Sequence, residues 1–263
     1  METMRVATVQ IRCKLGDVTY NIQKMAEWTR RAKDQGAEVV LFPEMVTTGY
    51  DMSVITRHAA PLDGDQMQPI RSIAREFHIW LFAGIAERSS GKIYNTLVVI
   101  DPAGELIATY RKIHLANYHP VNEGEYIVPG SQPVLVTISG WHFGLQICYD
   151  VRFPELSRYY ALKGADVLVF PAAWPFPRLR HWVSLLHARA IENQLYVVGA
   201  NHVGREGEIL YCGASRIVDP YGLTLGEGAE DREMLTVAEI SRERLLQVRQ
   251  RMPVLKHRRN DVY

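Results

Sequence analysis

Four short runs, AEVVLFPE (37–44), IWLFAGIAE (79–87), ADVLVFPAAW (165–174) and LYVVGANHVG (195–204), constrain the fold more than any other feature. Each is of strand length and nearly all apolar, without the alternation of a strand that shows one face to water. Such strands are buried on both faces and need covering layers. The covers are visible between them. NIQKMAEWTRRAKDQ sets Ile22, Met25, Ala26 and Thr29 at helical spacing, with Gly36 where a helix should stop. QPIRSIAREFH, PELSRYYALKG, RLRHWVSLLHARAIENQ and SRERLLQVRQR read as further helices, and Pro154 falls in a first turn, where a missing N–H costs nothing. KIYNTLVVID and ELIATYRKIHL read as paired strands about the turn PAG. PVLVTISGWHFGLQICYD reads as two more about SGW, while MRVATVQ, CGASRIVDPYG and LTVAEI complete the strand set. The expected class is α/β, with sheet layers covered by helices. Periodicity leaves open whether there is one sheet or two. Without repeats, low-complexity segments or Gly/Ser linkers, residues 1–263 read as one domain with a C-terminal tail from about residue 252.

Charge and cysteine usage narrow the function. A net charge of +1 gives no electrostatic case for nucleic acid or an anionic membrane. The basic segment RQRMPVLKHRRNDVY reads as a solvated tail or subunit contact rather than an RNA site. Cys13, Cys148 and Cys212 are odd in number, far apart and form no CxxC pair, against a disulfide framework or a structural zinc site. METMRVATVQIRC lacks a signal-peptide apolar core, and ADVLVFPAAW is too short to span a bilayer, so a reducing cytoplasm is expected.

Three polar residues stand at the ends of apolar strands: Glu44 in LFPEM, Lys112 in YRKIHL and Cys148 in QICYD. Strand ends are where α/β sheets build sites. Alternation along HFGLQICYD sets Phe143, Leu145 and Ile147 on one face and Gly144, Gln146 and Cys148 on the other. Position alone leaves a buried structural cysteine and a nucleophile equally open. The Tyr149-Asp150 pair, followed by Pro154, reads as a strand–turn–helix that presents a side chain beside free backbone N–H groups. A cysteine nucleophile needs thiolate character and a proton acceptor, which Lys112 and Glu44 can supply. In YRKIHL, alternation groups Tyr110, Lys112 and His114. The bland alternatives are a solvated edge charge for Lys112 and a helix cap or surface pair for Glu44. The rival pairing is Cys148 with one of His114, His119, His142, His181, His187 or His202, none of which sits in a local cysteine-protease signature.

Taken together these stretches resemble the nitrilase, or carbon–nitrogen hydrolase, superfamily, with Glu44, Lys112 and Cys148 in the family's order. The resemblance extends over nearly the whole chain, through TGYD, YNT (94–96), RFPEL, KGADVLVFPAAW and HARAIENQ. It implies a four-layer α-β-β-α sandwich, usually a homodimer or larger, working without metal or organic cofactor on a small amide. It implies a second glutamate ahead of a Pro-Gly pair, matching Glu123, with Glu125 the near neighbour. It implies that Cys148 attacks the carbonyl, Glu44 moves the proton, and Lys112 with the Tyr149 N–H holds the oxyanion. Tyr50, Asn95, Ala173, Trp174 and Arg178 are the expected substrate-binding set. The length fits the amidase branches better than the nitrilases proper. AAWPFPRLRHW, RAIENQ and QVRQRMPVLKHRRNDVY look most like ω-amidases of 2-oxo dicarboxylic acids. Arg178 or Arg180 is then a candidate partner of a substrate carboxylate, with surface charge at a helix start the equal alternative for both. NYHPVNEGEY departs from those enzymes and is expected at the pocket mouth, leaving aliphatic amides, N-carbamoyl amines and nitriles open as substrates. Arg189 and Glu192 are expected to form an ion pair or a dimer contact.

Overall fold

The computed structural model describes residues 2–118 and 121–262, and in it the apolar runs form the middle of two six-stranded sheets. The early strands are β1 (Thr3–Gln10), β2 (Val39–Leu41), β3 (Trp80–Ser89), β4 (Lys92–Ile100) and β5 (Leu106–Arg111). Then come β6 (Leu135–Ile138), β7 (Trp141–Leu145), β8 (Val167–Ala172), β9 (Tyr196–Asn201), β10 (Val203–Glu206), β11 (Ile209–Cys212), β12 (Arg216–Val218), β13 (Thr224–Glu227) and β14 (Met234–Ser241). The first sheet runs β14-β1-β2-β3-β4-β5 and the second β13-β12-β9-β8-β7-β6, with β10–β11 a separate hairpin. In both, the central pairs are parallel and the flanking pairs antiparallel.

Period-two alternation with apolar residues on both faces explains the unbroken apolar runs. Val39, Leu41, Phe82, Leu97 and Val99 turn inward and pack with Phe143, Leu145, Val169 and Val198 of the second sheet. The Phe82 and Phe143 rings meet across that interface at 5.6 Å. Val40, Leu81 and Val98 turn outward, against Met25, Trp28 and Ala32 of α1 (Val18–Asp34). After α2 (Met52–His58), α3 (Gln68–Phe77) adds Ile70, Ile73 and Ala74 to the same layer. The second sheet is covered by α4 (Pro154–Leu162) and α5 (Leu179–Asn193). That approach is close: a Cβ on Gly144 of β7 would lie 2.8 Å from Tyr160, and one on Gly199 of β9 2.9 Å from Leu186 and Trp182. The result is the four-layer α-β-β-α sandwich, each buried large side chain contributing about 1.5–3 kcal/mol. The last helix, α6 (Arg242–Arg251), leads into the tail. Arg249 ties that region down by donating to the carbonyls of Gln194 (3.0 Å) and Ala165 (2.7 Å).

Several expected strands are shorter than their apolar runs. The run 37–44 is strand for three residues only, the run to Leu115 stops at Arg111, and the run through Cys148 stops at Leu145. The run 195–204 breaks at His202 into β9 and β10. Alternation therefore does not reach Lys112 or Cys148, and their orientation is set by turns. Hairpin β10–β11, edge strand β13 and helix α2 were not read from the sequence. Among the described residues no helix is long and apolar enough to cross a membrane.

Candidate active site

The truncated strands end at one place. Glu44 lies three residues past β2, in a turn where Met45 adopts φ +51°. The turn rests on β3 at Gly84, where a Cβ would come within 2.6 Å of the Glu44 Cα. Lys112 follows β5 directly. Its N–H donates to the Asn95 carbonyl and its carbonyl accepts the Gly130 N–H, both at 2.8 Å. Cys148 opens a 3₁₀ turn (Cys148–Arg152) at φ +45°, a left-handed conformation costing a non-glycine residue about 1–3 kcal/mol. Asp150 holds that turn. Its carboxylate accepts the Ile147 N–H (2.9 Å), the Tyr110 hydroxyl (2.7 Å) and the His114 N–H (2.9 Å), joining the cysteine turn to the lysine segment. Arg189 of α5 donates to the Val151 carbonyl (2.9 Å) and pairs with Glu192 (2.7 Å), so the expected ion pair braces the same turn.

Beside the thiol is a closed polar cage. The Lys112 ammonium donates to Glu44 Oε1 (2.8 Å) and to both oxygens of Glu123 (2.9 Å each). Asn95 Nδ2 bridges the same two carboxylates at 2.6 and 3.2 Å. The Tyr50 hydroxyl donates to Glu123 (2.7 Å), and the Ala173 N–H to Glu44 Oε2 (2.8 Å). Glu44, Asn95, Lys112 and Glu123 are all fully buried. Burial works against the lysine charge, yet Glu123 and Glu44 outweigh it and hold the Lys112 pKa well above the ordinary range. Burial likewise opposes the Glu123 charge, and Lys112, the Ala116 N–H and the Tyr50 hydroxyl outweigh it, lowering that pKa. Burial and the Glu44 carboxylate push the Cys148 thiol well up, with Lys112 pulling the other way. The resting sulfur therefore holds its proton at neutral pH, with a carboxylate placed to remove it.

Cys148 forms the floor of a narrow pocket walled by Tyr118, Tyr149, Trp174, Pro175, Ile209 and Tyr211, with Tyr50 and Ala173 also on its lining. Through Tyr50, Val121 and Ile209 it adjoins a wider outer cavity of about 500 Å³, lined in part by Asp51, Glu125, Glu206 and Glu208. Among the sequence candidates, Glu44, Lys112, Cys148, Glu123, Tyr50, Asn95, Ala173, Tyr149 and Trp174 converge here. Arg178 stands one layer out, its guanidinium 4.9 Å over the Tyr118 ring and its Nε buried without a hydrogen-bond partner among the described residues. Arg180 is exposed on α5, and Glu125 is exposed on the outer cavity. Of the histidine candidates, the described ones meet groups other than the Cys148 thiol: His114 meets Asp150, His142 Thr137, His181 Arg152, His187 Val183 and His202 Glu206. His119 lies outside the described residues. Of NYHPVNEGEY, Tyr118 and Val121 line the pocket, as expected of the mouth. Sequence reasoning placed Asp150 in the turn without giving it the task of joining that turn to the lysine segment, and missed Tyr211, which carried no signal.

Cys13, His202 and Glu206 also cluster, with potential ligand atoms within 4.8 Å of one another. His202 Nδ1 and Glu206 Oε1 are only 2.6 Å apart, whereas two ligands of one tetrahedral zinc stand ~3.3 Å apart. The gap suits a shared proton.

Known proteins resemble the chain over nearly its whole length. The chain is 37% identical over 260 residues to the 2-oxoglutaramate amidase of Bacillus subtilis (strain 168), covering 98% of each. It is 32% identical over 272 residues to human omega-amidase NIT2, covering 100% of this chain and 98% of that one. A mutant of the amidase from Nesterenkonia sp. AN1, a nitrilase-superfamily enzyme, has been solved with acrylamide added at its active-site cysteine. It superposes with a TM-score of 0.84 at 31% identity, covering 95% of this chain and 98% of that one. The pattern of the carbon-nitrogen hydrolases matches residues 5–250, and the chain belongs to that family.

Proposed function

We propose that the protein is a thiol-dependent amidase that hydrolyses the ω-amide of a small 2-oxo dicarboxylic acid to carboxylate and ammonia. The observation that carries the reading is the buried Glu44–Lys112–Glu123 cage set against a protonated Cys148. Glu44 takes the thiol proton as sulfur attacks the amide carbon. The oxyanion falls to Lys112 and the Tyr149 N–H, each such donor contributing about 3 kcal/mol when aimed at developing charge. As the tetrahedral adduct collapses, the amide nitrogen takes the proton from Glu44 and leaves as ammonia. Water then attacks the thioester and gives a proton to Glu44; the sulfur leaves and recovers it. Glu123 anchors the lysine, and Tyr50 and Asn95 orient Glu123. The substrate reading is supported by the names of the bacterial and human relatives and by the Nε of Arg178, above Tyr118 and without a hydrogen-bond partner among the described residues. Arg is suited to bidentate capture of a carboxylate.

The acidic outer cavity favours a second reading, a neutral aliphatic amide, over any substrate whose carboxylate would enter by that side. Ammonia release from 2-oxoglutaramate, glutamine, a carbamoyl amine, a short aliphatic amide and a nitrile separates the readings. The expected result is turnover of the oxo-amide, lost by ~10³-fold or more in Cys148→Ala with folding intact, and a KM raised in Arg178→Met. Turnover of the aliphatic amide alone would move the substrate; turnover surviving Cys148→Ala would remove the thiol mechanism. A cytoplasmic homodimer belongs to the same proposal, supported by the apolar side chains of Tyr221, Leu223 and Leu246 left exposed on a single chain.

A further inference from the structure

His202 interrupts an apolar run, is fully buried, and is not used in the mechanism above. Its ring lies between two acceptors. Nε2 faces the main-chain carbonyl of Glu44 at 2.5 Å, and Nδ1 faces Glu206 Oε1 at 2.6 Å. A backbone carbonyl never donates, and a neutral imidazole carries one N–H. With Glu206 ionised, both of the ring's partners are acceptors, and the ring serves them together as imidazolium with Glu206 as the counter-charge. Glu206 is itself buried, and its Oε1 also accepts the Cys13 N–H (2.8 Å). The Cys13 thiol donates to the Val46 carbonyl (3.1 Å), so the cluster grips both ends of the turn 44–46.

We propose that His202 and Glu206 form a positioning pair: an imidazolium held by Glu206 clamps the Glu44 carbonyl and fixes how the Glu44 carboxylate meets the Cys148 thiol. The inference rests on Glu44 as the proton acceptor. The titratable groups facing the ring are Glu206 from β10, Cys13 from the loop after β1 and Tyr211 from β11, its ring 5.2 Å away, while Glu44, in the turn after β2, meets it with its main-chain carbonyl. Burial alone would strip the ring of its proton, but Glu206 and Cys13 outweigh it and hold the His202 pKa well above the ordinary value. Glu206→Gln keeps size while removing the charge; with its amide oxygen held on the Cys13 N–H, Nδ1 of a neutral ring faces an acceptor only by keeping its own N–H there, so the ring gives up either the Glu44 carbonyl or residue 206.

The test measures kcat and KM against pH for the wild type, Glu206→Gln, His202→Gln and Glu44→Gln. Glu206→Gln should lose ~10- to 100-fold in kcat at about pH 8 with KM within about threefold. Its deficit should narrow toward about pH 6 as the ring regains its proton. His202→Gln should show the deficit throughout. A merely structural pair would lower the unfolding temperature and leave kcat per folded molecule, and its pH profile, as in the wild type; that outcome overturns the proposal. Should either variant fail to fold, ¹⁵N NMR of the wild-type ring decides. Both nitrogens protonated at neutral pH is expected, and a neutral imidazole overturns the pair. Turnover surviving Glu44→Gln would sink the general-base reading itself. An inactive Glu44→Gln beside an unchanged Glu206→Gln would sink the pair alone.

Discussion

Lys112 shows what a single residue must do here: one ammonium, fully buried, satisfies three carboxylate oxygens. Lys112→Met would keep the stem and leave Glu44 and Glu123 buried without their cation. The expected loss is ~3–5 kcal/mol in urea unfolding at neutral pH, because breaking a buried pair strands a charge. It should shrink in acid, where the carboxylates neutralise; a loss under ~1 kcal/mol at neutral pH would show that the cage is not charged as described. At this scale one residue was legible by itself: a carboxylate straight after VVLFP is chemically out of place, whereas Lys112 reads as an edge charge and Cys148 as core or nucleophile until the three are taken together. Glu123 was reachable only through resemblance, since an acid in a Gly-rich loop is ordinarily exposed. His202 was illegible, because its significance lies in which carbonyl its ring touches.

At the scale of elements, the site is made where strands stop early. Hydrophobic pattern marks which strands are buried but not where they end, since Phe42, Pro43, Gln146 and Ile147 continue the apolar or buried pattern beyond the ladder. The stops come from side-chain capture of the backbone, as at Asp150, and from close backbone approach, as at Gly84. Gly84→Ala tests the second. Its Cβ would meet the Glu44 Cα at 2.6 Å and the Pro43 carbonyl at 2.9 Å, backbone atoms that cannot rotate away. We expect kcat to fall ~100-fold, since a shift of about 1 Å in a catalytic group costs that much, with a stability loss of ~1–3 kcal/mol. Steady-state kinetics beside thermal unfolding check both; wild-type kcat would mean that the turn is free to move.

For the molecule as a whole, the layered class was readable from the pattern, and the division into two facing sheets only through the resemblance, because inward and outward faces are equally apolar. Its buried charges set the pH range of stability. The folded Glu123 pKa is lowered, so its contribution is present above about 4.5, the ordinary value, and is lost as pH falls through the folded value. The folded His202 pKa is raised, so its contribution is complete below about 6.5 and is lost as pH rises through the folded value. Calorimetric unfolding temperatures should fall on both sides, with the alkaline decline flattened in Glu206→Gln; an unchanged decline would assign it to other groups. Strand pairing carries one more consequence. β1 is joined along its whole length by β14, Thr3 opposite Ser241 and Gln10 opposite Met234. On the ribosome, β1 therefore waits for β14, its edge open while Glu44, Lys112 and Cys148 have already emerged. Until β14 emerges, β1 offers an open edge for chaperones to shield.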